Sequence, residues 1–350
     1  MRISRFLLFL LPLSLSAQGG ASGVFAPLSM PINARQAAWG GYCNSYRSQD
    51  PTFGLVNPAL LNAGMHNRVA MNFNTQVKGV WSGNGAYARH WEKLGTLALN
   101  VAHINYGTMN AYDAAGNPEG TVSANETVLG LSVGREIAPN LHVGGGLKMT
   151  YSILGPYIGA GVAADVGMVW HNRDSVISVG AVLRNAGFMV LAYNRGNGDK
   201  LPFSAEAGVN FKPKHMPFRF NITAHNLQKW DLTYNQYLQT NQTIDLSGKP
   251  VTPAEAKFGD KLMRHFAVGT ELVLGKNFGV LGGYNHQRRR EMAPDVRPGL
   301  SGFSWGLMFR VSRIQITYSS STFFPGFNAN LFTFAATLSE FRRKPASSRS

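Results

Sequence analysis

The chain has 350 residues, a formal net charge of +15 and a mean hydropathy of −0.10, and 15% of its residues are charged. This length suffices for one large β domain or for two domains of ordinary size. Its single cysteine, Cys43, excludes an internal disulfide, and no stretch of about 20 apolar residues that could form a membrane-spanning helix follows the first residues.

Residues 1–17 have the pattern of a secretory signal peptide. Arg2 and Arg5 form a basic start, the apolar run FLLFLLPLSLS follows, and Ala17 is a small residue before the predicted cleavage. We therefore predict that the mature protein works outside the cytoplasm, where it meets no chromosome. Its positive charge then indicates anionic outer-membrane lipid or lipopolysaccharide as partners, and no nucleic acid.

Residues 18–67 lack sustained alternation and contain two patterns typical of short helices. In INARQAAWGG, a helix is predicted to begin near Asn33 and to end at Gly40. In VNPALLNAG, Asn57 is suited to cap a helix whose first position is Pro58. We expect this segment to form either a plug folded into the following domain or an arm docked beneath it.

From residue 68 onward, apolar and polar residues alternate in one segment after another. In GTLALNVAHI, Leu97, Leu99 and Val101 fall on one face of an extended chain, and small or polar residues fall on the other. This period of two is typical of β-strands with one apolar face. Fourteen such strands are predicted, at about 68–77, 83–91, 95–105, 126–136, 140–153, 158–171, 174–185, 204–213, 217–226, 264–274, 277–290, 299–311, 312–320 and 328–341.

The connections between these strands alternate in length. Every second one is short (92–94, 137–139, 172–173, 214–216, 275–276 and a break near Ser312), and most of the others are long (106–125, 186–203, 227–263, 291–298 and 321–327). Outer-membrane barrels have tight periplasmic turns and long external loops. Trp91, Trp170 and Phe211 precede short turns, where a periplasmic girdle of aromatic residues is expected.

The sequence therefore predicts an all-β protein: a transmembrane antiparallel β-barrel of about 14 strands over residues 68–341, followed by a basic periplasmic tail, 342–350. Side chains nearly fill an eight-stranded barrel, and the wider lumen expected here favours the plug over the arm for residues 18–67. A soluble β-sandwich is the alternative, but a sandwich has no reason to collect its short turns at one end.

No pattern in the sequence points to catalysis. The HExxH, Walker and GxSxG motifs and clustered Cys and His residues are missing, so we expect no enzymatic activity, cofactor or metal. The glycines of VGGGLK (Val143–Lys148) fall inside a predicted strand and are expected to make space in the lumen. Five charged residues of predicted lumen faces are expected to pair with one another: Asp165, Arg184, Glu206, Arg219 and Glu271.

Arg288, Arg289 and Arg290 are consecutive at the predicted junction between the eleventh strand and its external loop. Guanidinium groups bind phosphate oxygens in a fork geometry, so these three residues are candidate contacts for lipopolysaccharide phosphates. A solvated loop rim is the alternative.

The connection 227–263 is the second candidate surface. Loops of this length are usually functional or disordered, and Trp230, Asp231, Tyr234 and Tyr237 combine aromatic rings with charge. Aromatic residues anchor protein interfaces, so these four residues are candidate partner-binding residues. Simple flexibility of the loop is the alternative.

Four stretches of the chain, in order along most of its mature length, resemble the PorQ family of the type IX secretion system. They are ARQAAWGG (Ala34–Gly41), NPALLNAGMHN (Asn57–Asn67), HINYGTMNAYDAAGN (His103–Asn117) and PFRFNITAHNLQKWDLTY (Pro217–Tyr234). The resemblance implies a fourteen-stranded outer-membrane barrel without enzymatic activity. It also implies membership of the cell-surface attachment complex with PorU, PorV and PorZ, in which PorU is the sortase and PorQ holds PorZ.

Two other roles remain open at this point. NPALL also occurs in the wider group of PorV-like and FadL-like barrels. A FadL-like barrel would be a channel for hydrophobic compounds, and a PorV-like barrel would be a shuttle that binds the C-terminal domains of secreted cargo.

Overall fold

The computed structural model describes residues 24–75, 79–193, 199–233, 256–293, 299–324 and 326–341. The predicted signal peptide (1–17) and the basic tail (342–350) lie outside these residues, and both stay predictions.

The described residues form fourteen antiparallel strands that close into a barrel. The strands are β1 (Arg68–Thr75), β2 (Trp81–Trp91), β3 (Gly95–Tyr112), β4 (Pro118–Ala138), β5 (Leu141–Leu154), β6 (Tyr157–His171), β7 (Ile177–Leu191), β8 (Ser204–Phe211), β9 (Phe218–Ala224), β10 (Phe266–Leu274), β11 (Phe278–Asn285), β12 (Phe303–Val311), β13 (Ile314–Phe324) and β14 (Phe327–Thr337). Each strand pairs with its neighbours in the sequence, and β1 closes the barrel by pairing with β14. The prediction of a fourteen-stranded barrel is confirmed.

The outer face of the barrel is a belt of large apolar side chains. Leu99, Leu131 and Leu147 stand opposite one another on β3, β4 and β5, and more than half of each side chain is exposed. Trp91 and Trp170 are exposed at the short-turn end, where the girdle was predicted. A soluble sandwich buries such residues between its sheets, whereas a membrane barrel presents them to lipid. This exterior is therefore that of an outer-membrane barrel.

The helices are short. The α-helices among the described residues are α1 (Ala34–Ala38), α2 (Phe258–Met263) and α3 (His286–Met292), and single turns of 3₁₀-helix cover Ala26–Leu28, Pro51–Leu55, Pro58–Leu60, Ala63–Met65 and Leu338–Phe341. In the described part of the chain no helix has both the length and the hydropathy of a membrane span. Asn33 caps α1 and Asn57 caps the turn at Pro58, as predicted from their sequence positions.

The hairpin of β3 and β4 is longer than predicted. Most of segment 106–125, predicted as a loop, is strand, because pairing continues from Thr108 opposite Ser123 to Tyr112 opposite Pro118. A bulge between Asn105 and Thr108 shifts the register. A bulge interrupts the alternation of inward and outward side chains, which is why the pattern in the sequence ended too early.

Several predicted strand ends are wrong; β7, for example, continues to Leu191 rather than ending at residue 185. Residues 286–290 are helical, because the side chain of Asn285 accepts a hydrogen bond from the backbone N–H of Arg288 (2.9 Å) and caps α3. The last strand ends at Thr337 rather than at Phe341. Its partner β1 begins at Arg68, directly opposite Thr337, so no strand remains for later residues to pair with.

The segment before β1 lies in the lumen. Its backbone bonds to inward-facing side chains on strands around the whole circumference, a set of contacts that only an internal position allows. These contacts include Glu126 with Ala26, Thr333 with Ala34, Ser321 with Ala37, Ser304 with Ala38, Asn285 with Gly40, Asn221 with Tyr42, Ser178 with Ser45, Ser132 with Gly54 and Lys148 with Leu55. That this segment closes the lumen to solutes stays a prediction.

Candidate functional site

Glycines in the wall make room for the N-terminal segment. A Cβ atom at Gly269 would lie 2.4 Å from Cγ of Trp39, and one at Gly144 would lie 2.3 Å from the carbonyl carbon of Pro58. Both distances are far below van der Waals contact, so a larger residue at either position would push the segment off the wall. The lumen role expected for the VGGGLK glycines is therefore seen at Gly144.

Glu271, on β10, is the centre of a buried ionic cluster. One of its carboxylate oxygens lies 2.7 Å from Nη1 of Arg35 on α1, and the other binds Nη1 of Arg219 on β9. Both guanidiniums also lie close to the ring of Tyr46, whose centroid is 4.7 Å from Cζ of Arg35 and 4.9 Å from Cζ of Arg219. Charge and cation–π contacts therefore join the N-terminal segment to the wall.

Two further ion pairs join neighbouring strands on the inner face of the barrel. Arg184 pairs with Glu206 at 3.0 Å, and Lys148 pairs with Asp165 at 2.6 Å. Arg184 also donates to the carbonyl of Leu28, and Lys148 to that of Leu55, so both cations bind the N-terminal segment too.

The five lumen charges expected to pair are therefore all paired, but two of their partners, Arg35 and Lys148, were not predicted. Lys148 has the same parity as Gly144 along β5, and this could have placed it in the lumen. Arg35 precedes the barrel, and nothing in its sequence context links it to Glu271.

The end of the barrel with the long connections carries a second cluster, centred on Asp260 of α2. Its carboxylate lies 2.9 Å from Nε of Arg264, 3.0 Å from Nε2 of His286 and 2.9 Å from Nε of Arg290. Partial burial opposes ionisation of Asp260, but hydrogen bonds from His286 and Arg264 and the charges of Arg264 and Arg290 outweigh it. The pKa of Asp260 therefore lies below its ordinary value. The cluster ties α2 to α3.

Trp230 lies beside this cluster and is half exposed. Its ring centroid is 5.4 Å from that of Phe258 and 5.8 Å from that of His265, whose Nε2 lies 3.0 Å from the carbonyl oxygen of Trp230. Asp231 forms an ion pair with Lys261 at 2.7 Å, and hydrogen bonds from Lys261 and Thr233 lower the pKa of Asp231.

We call Trp230, Phe258, Leu262 and Met263 the outer apolar patch, because all four side chains are exposed at this end. Of the four predicted partner-binding residues, Trp230 and Asp231 are brought together here. Tyr234 and Tyr237 lie outside the described residues.

The three consecutive arginines do not form one lipid-facing row, because α3 turns their side chains in different directions. Arg288 lies over the ring of Phe323, with Cζ 4.6 Å from the centroid, and its Nη2 is 3.4 Å from the carbonyl oxygen of Gly40 in the lumen. Burial lowers the pKa of Arg288 to about 10. Arg289 donates to the carbonyl of Gly299 (2.6 Å), and only Arg290 is exposed.

Neither cluster has the composition of a metal site. In the ranges that the structure describes, no group of three His, Cys, Asp or Glu side chains is placed to hold a metal ion. What the lumen and outer clusters can do is position the N-terminal segment, α2 and α3 against the barrel.

Comparison with known proteins identifies the fold. No family model matches the chain, and no curated protein matches it. Among solved structures, it is similar to the toluene transporter TodX of Pseudomonas putida, with a TM-score of 0.50, 11% identity and coverage of 88% of this chain and 96% of TodX. A deltaS2 mutant of the TodX monoaromatic hydrocarbon channel has a TM-score of 0.53 at 12% identity, with coverage of 89% and 98%.

A FadL homologue of Pseudomonas aeruginosa is also similar, with a TM-score of 0.47, 12% identity and coverage of 87% and 97%. At 11–12% identity, the two TodX structures show the fold alone. This chain therefore has the barrel fold of the TodX structures.

Proposed function

We propose that this protein is a non-enzymatic outer-membrane component of the type IX secretion system that anchors the surface attachment complex by tethering PorZ. The observation that carries the proposal is the outer apolar patch above a lumen that is packed with the chain's own N-terminal segment. The four PorQ-like stretches support the same role.

The packing of the lumen favours an anchor over a passage. Buried ion pairs at Glu271 and Lys148 and close approaches at glycines hold the N-terminal segment to the wall. Opening a path along this wall requires breaking charge pairs in a low-dielectric interior, which costs several kcal/mol for each pair left incomplete. A tether needs no such opening.

The outer apolar patch supports binding of a protein partner. Trp230 and Phe258 are large, exposed and held in place by His265 and by the ion pair of Asp231 with Lys261. Preordered aromatic residues lose little conformational entropy on binding and are common anchors of interfaces. We propose PorZ as the direct partner here, with PorU and PorV-like proteins in the same complex.

Lipopolysaccharide remains a proposed contact at one residue. Arg290 is exposed on α3, at the end of the barrel with the long connections, although it already pairs with Asp260. Asp260 contacts Nε of this guanidinium, and we propose that the terminal nitrogens bind a phosphate group.

The experiment that tests the tether is retention of PorZ on cells of a type IX-secreting host. A Trp230→Ala/Phe258→Ala double variant removes both rings, and we expect it to release PorZ into the medium and to leave cargo unanchored. Tyr112→Ala is the matched control, because it removes an exposed ring from the end of β3, outside the outer apolar patch. Retention of PorZ by the double variant, at normal barrel levels, would refute this docking site.

The second candidate is a channel for hydrophobic compounds, which the fold shared with the TodX channel favours. A crevice of about 20 Å³ lies between the N-terminal segment and β1–β3, and both apolar residues (Ile32, Ile104) and polar residues (Asn72, Asn84) line it. A cavity that binds benzene in another protein has about 150 Å³, so this crevice needs a conformational change to admit an aromatic molecule.

Uptake of toluene into proteoliposomes separates the two functions. A channel accelerates uptake above that of protein-free vesicles, whereas a tether does not. A PorV-like shuttle gives a third result, since its loss blocks cargo secretion with the C-terminal signal uncleaved while PorZ stays on the cell.

A further inference from the structure

A polar cavity of about 310 Å³ lies at the short-turn end of the lumen, between the N-terminal segment and strands β6–β9. Arg47 of the segment, Lys212 after β8 and Arg219 of β9 line it together with His171, Ser178 and Asn210. In outer-membrane barrels the short-turn end faces the periplasm. The cavity is therefore open to periplasmic solutes, and the barrel wall separates it from the bilayer.

No carboxylate lines this cavity, although three cationic side chains do. Arg47 Nη1 lies 2.8 Å from Nε2 of His171, and Nδ1 of His171 lies 3.0 Å from the carbonyl oxygen of Asn172. A guanidinium only donates hydrogen bonds. Nε2 of His171 therefore accepts, and a neutral His171 donates from Nδ1.

The other charges around the cavity do not cancel its positive potential. Lys212 forms no ion pair with any described carboxylate. Arg219 shares the single carboxylate of Glu271 with Arg35, so two cations face one anion there. Burial lowers the pKa of Arg47, and the charge of Glu136 only partly offsets this effect. Glu136 does not line the cavity.

Asn210 adds an independent sign that the cavity takes a ligand. This residue is 6% exposed, and its Nδ2 donates no hydrogen bond to the described protein. A buried amide donor without an acceptor costs roughly 1–3 kcal/mol. An anion in the cavity can accept from Nδ2 and remove that cost.

We propose that this cavity binds a small phosphate-bearing dianion from the periplasm. Two guanidiniums offer planar forks that match phosphate oxygens, and the ammonium of Lys212 adds a third charge. A doubly charged anion balances the excess positive charge better than a monoanion does. The volume exceeds that of inorganic phosphate and reaches the lower end of small-molecule sites, so both free phosphate and a phosphate monoester fit.

Isothermal titration calorimetry of the purified full-length mature chain, at constant ionic strength, tests this site with inorganic phosphate and glycerol 3-phosphate as probes. We expect saturable binding to one site, weakened at least about tenfold in Lys212→Gln and in Arg47→Gln. Lys212→Arg should restore it. Tighter binding of glycerol 3-phosphate identifies a phosphorylated small molecule as the source, and tighter binding of inorganic phosphate identifies the free ion.

Lys214→Gln is the matched control, because Lys214 lies in the same turn, is exposed and pairs with Asp174 at 2.6 Å. It should bind both probes as the unmodified chain does. A shift in electrophoretic mobility between unheated and heated samples checks that each variant is a folded barrel. Failure of both probes to saturate, or equal weakening in Lys214→Gln and Lys212→Gln, would overturn the proposal. Retention of PorZ is proposed to depend on the opposite end of the barrel. Neither outcome of the phosphate experiment therefore tests whether this protein tethers PorZ.

Discussion

Glu271 is the residue on which the lumen contacts of Arg35 and Arg219 converge, and it is 1% exposed. Glu271→Gln keeps its size but leaves the buried guanidinium of Arg35 and the partly buried guanidinium of Arg219 without a carboxylate. We expect a loss of about 3–5 kcal/mol in the free energy of unfolding, measured by denaturant titration of the purified barrel in detergent. Glu136→Gln, at an exposed carboxylate near the periplasmic turns, is the control. Equal stability of both variants would show that Glu271 does not hold the segment.

Leu99 tests the outer face at the level of one side chain. Leu99→Arg places a charge in the apolar belt between β2 and β4, and we expect it to cost about 2–4 kcal/mol if the residue lies near the bilayer midplane. The free energy of folding into lipid vesicles measures this cost. Leu94→Arg makes the same substitution at an exposed residue in the periplasmic turn, outside the belt, and should cost little. A cost for Leu94→Arg as large as that for Leu99→Arg would contradict this orientation.

At the scale of elements, the fit between β5 and the N-terminal segment depends on Gly144. Gly144→Ala puts a methyl group into the backbone of Pro58, and we expect a loss of about 1–3 kcal/mol in the free energy of unfolding. Gly145→Ala is an adjacent control on the other face, where a Cβ atom meets nothing nearer than 3.8 Å. Thermal unfolding of both variants measures the difference. If Gly144→Ala were as stable as Gly145→Ala, the segment would not pack against β5.

The junction of α2 and α3 should depend on pH through Asp260. Its pKa is lowered in the folded state, so the carboxylate stabilises the junction above its unfolded pKa, about 3.9. This contribution is lost as the pH falls through the folded pKa. Hydrogen exchange of the α2 amides, corrected for intrinsic rates, should show weaker protection in acid below about pH 4.

Asp260→Asn is the control for this effect. It removes the titrating group, so the protection of α2 should be weak at neutral pH and should change little on acidification. Unchanged protection of the unmodified chain in acid would mean that Asp260 does not hold the junction.

At the scale of the whole molecule, the features that depend on a few neighbouring residues could be predicted from the sequence. Alternation in segments such as 95–105 and the short turn at 92–94 each depend on a few neighbouring residues, so the strand number, the closed barrel and the unequal ends were predicted. The strand ends at Asn285 and Thr337 were not, because they depend on a cap and on the limit of a partner strand.

The contacts that define the candidate site are long-range. Arg35 and Glu271 are far apart in the sequence, and α3 turns Arg288 toward the lumen rather than toward lipid. No periodicity encodes such contacts. One signal was available, because Asn285 followed by the good helix formers Gln287, Arg288 and Arg289 is typical of a capped helix.

Affinity purification of the intact protein from outer membranes of a type IX-secreting host tests the central claim, a filled barrel that holds a surface protein, most directly. We predict that PorZ co-purifies with the unmodified chain and with Tyr112→Ala, and that the Trp230→Ala/Phe258→Ala variant is recovered as a folded barrel without it. Recovery of the unmodified barrel without PorZ, from membranes in which PorZ is present, would contradict the account.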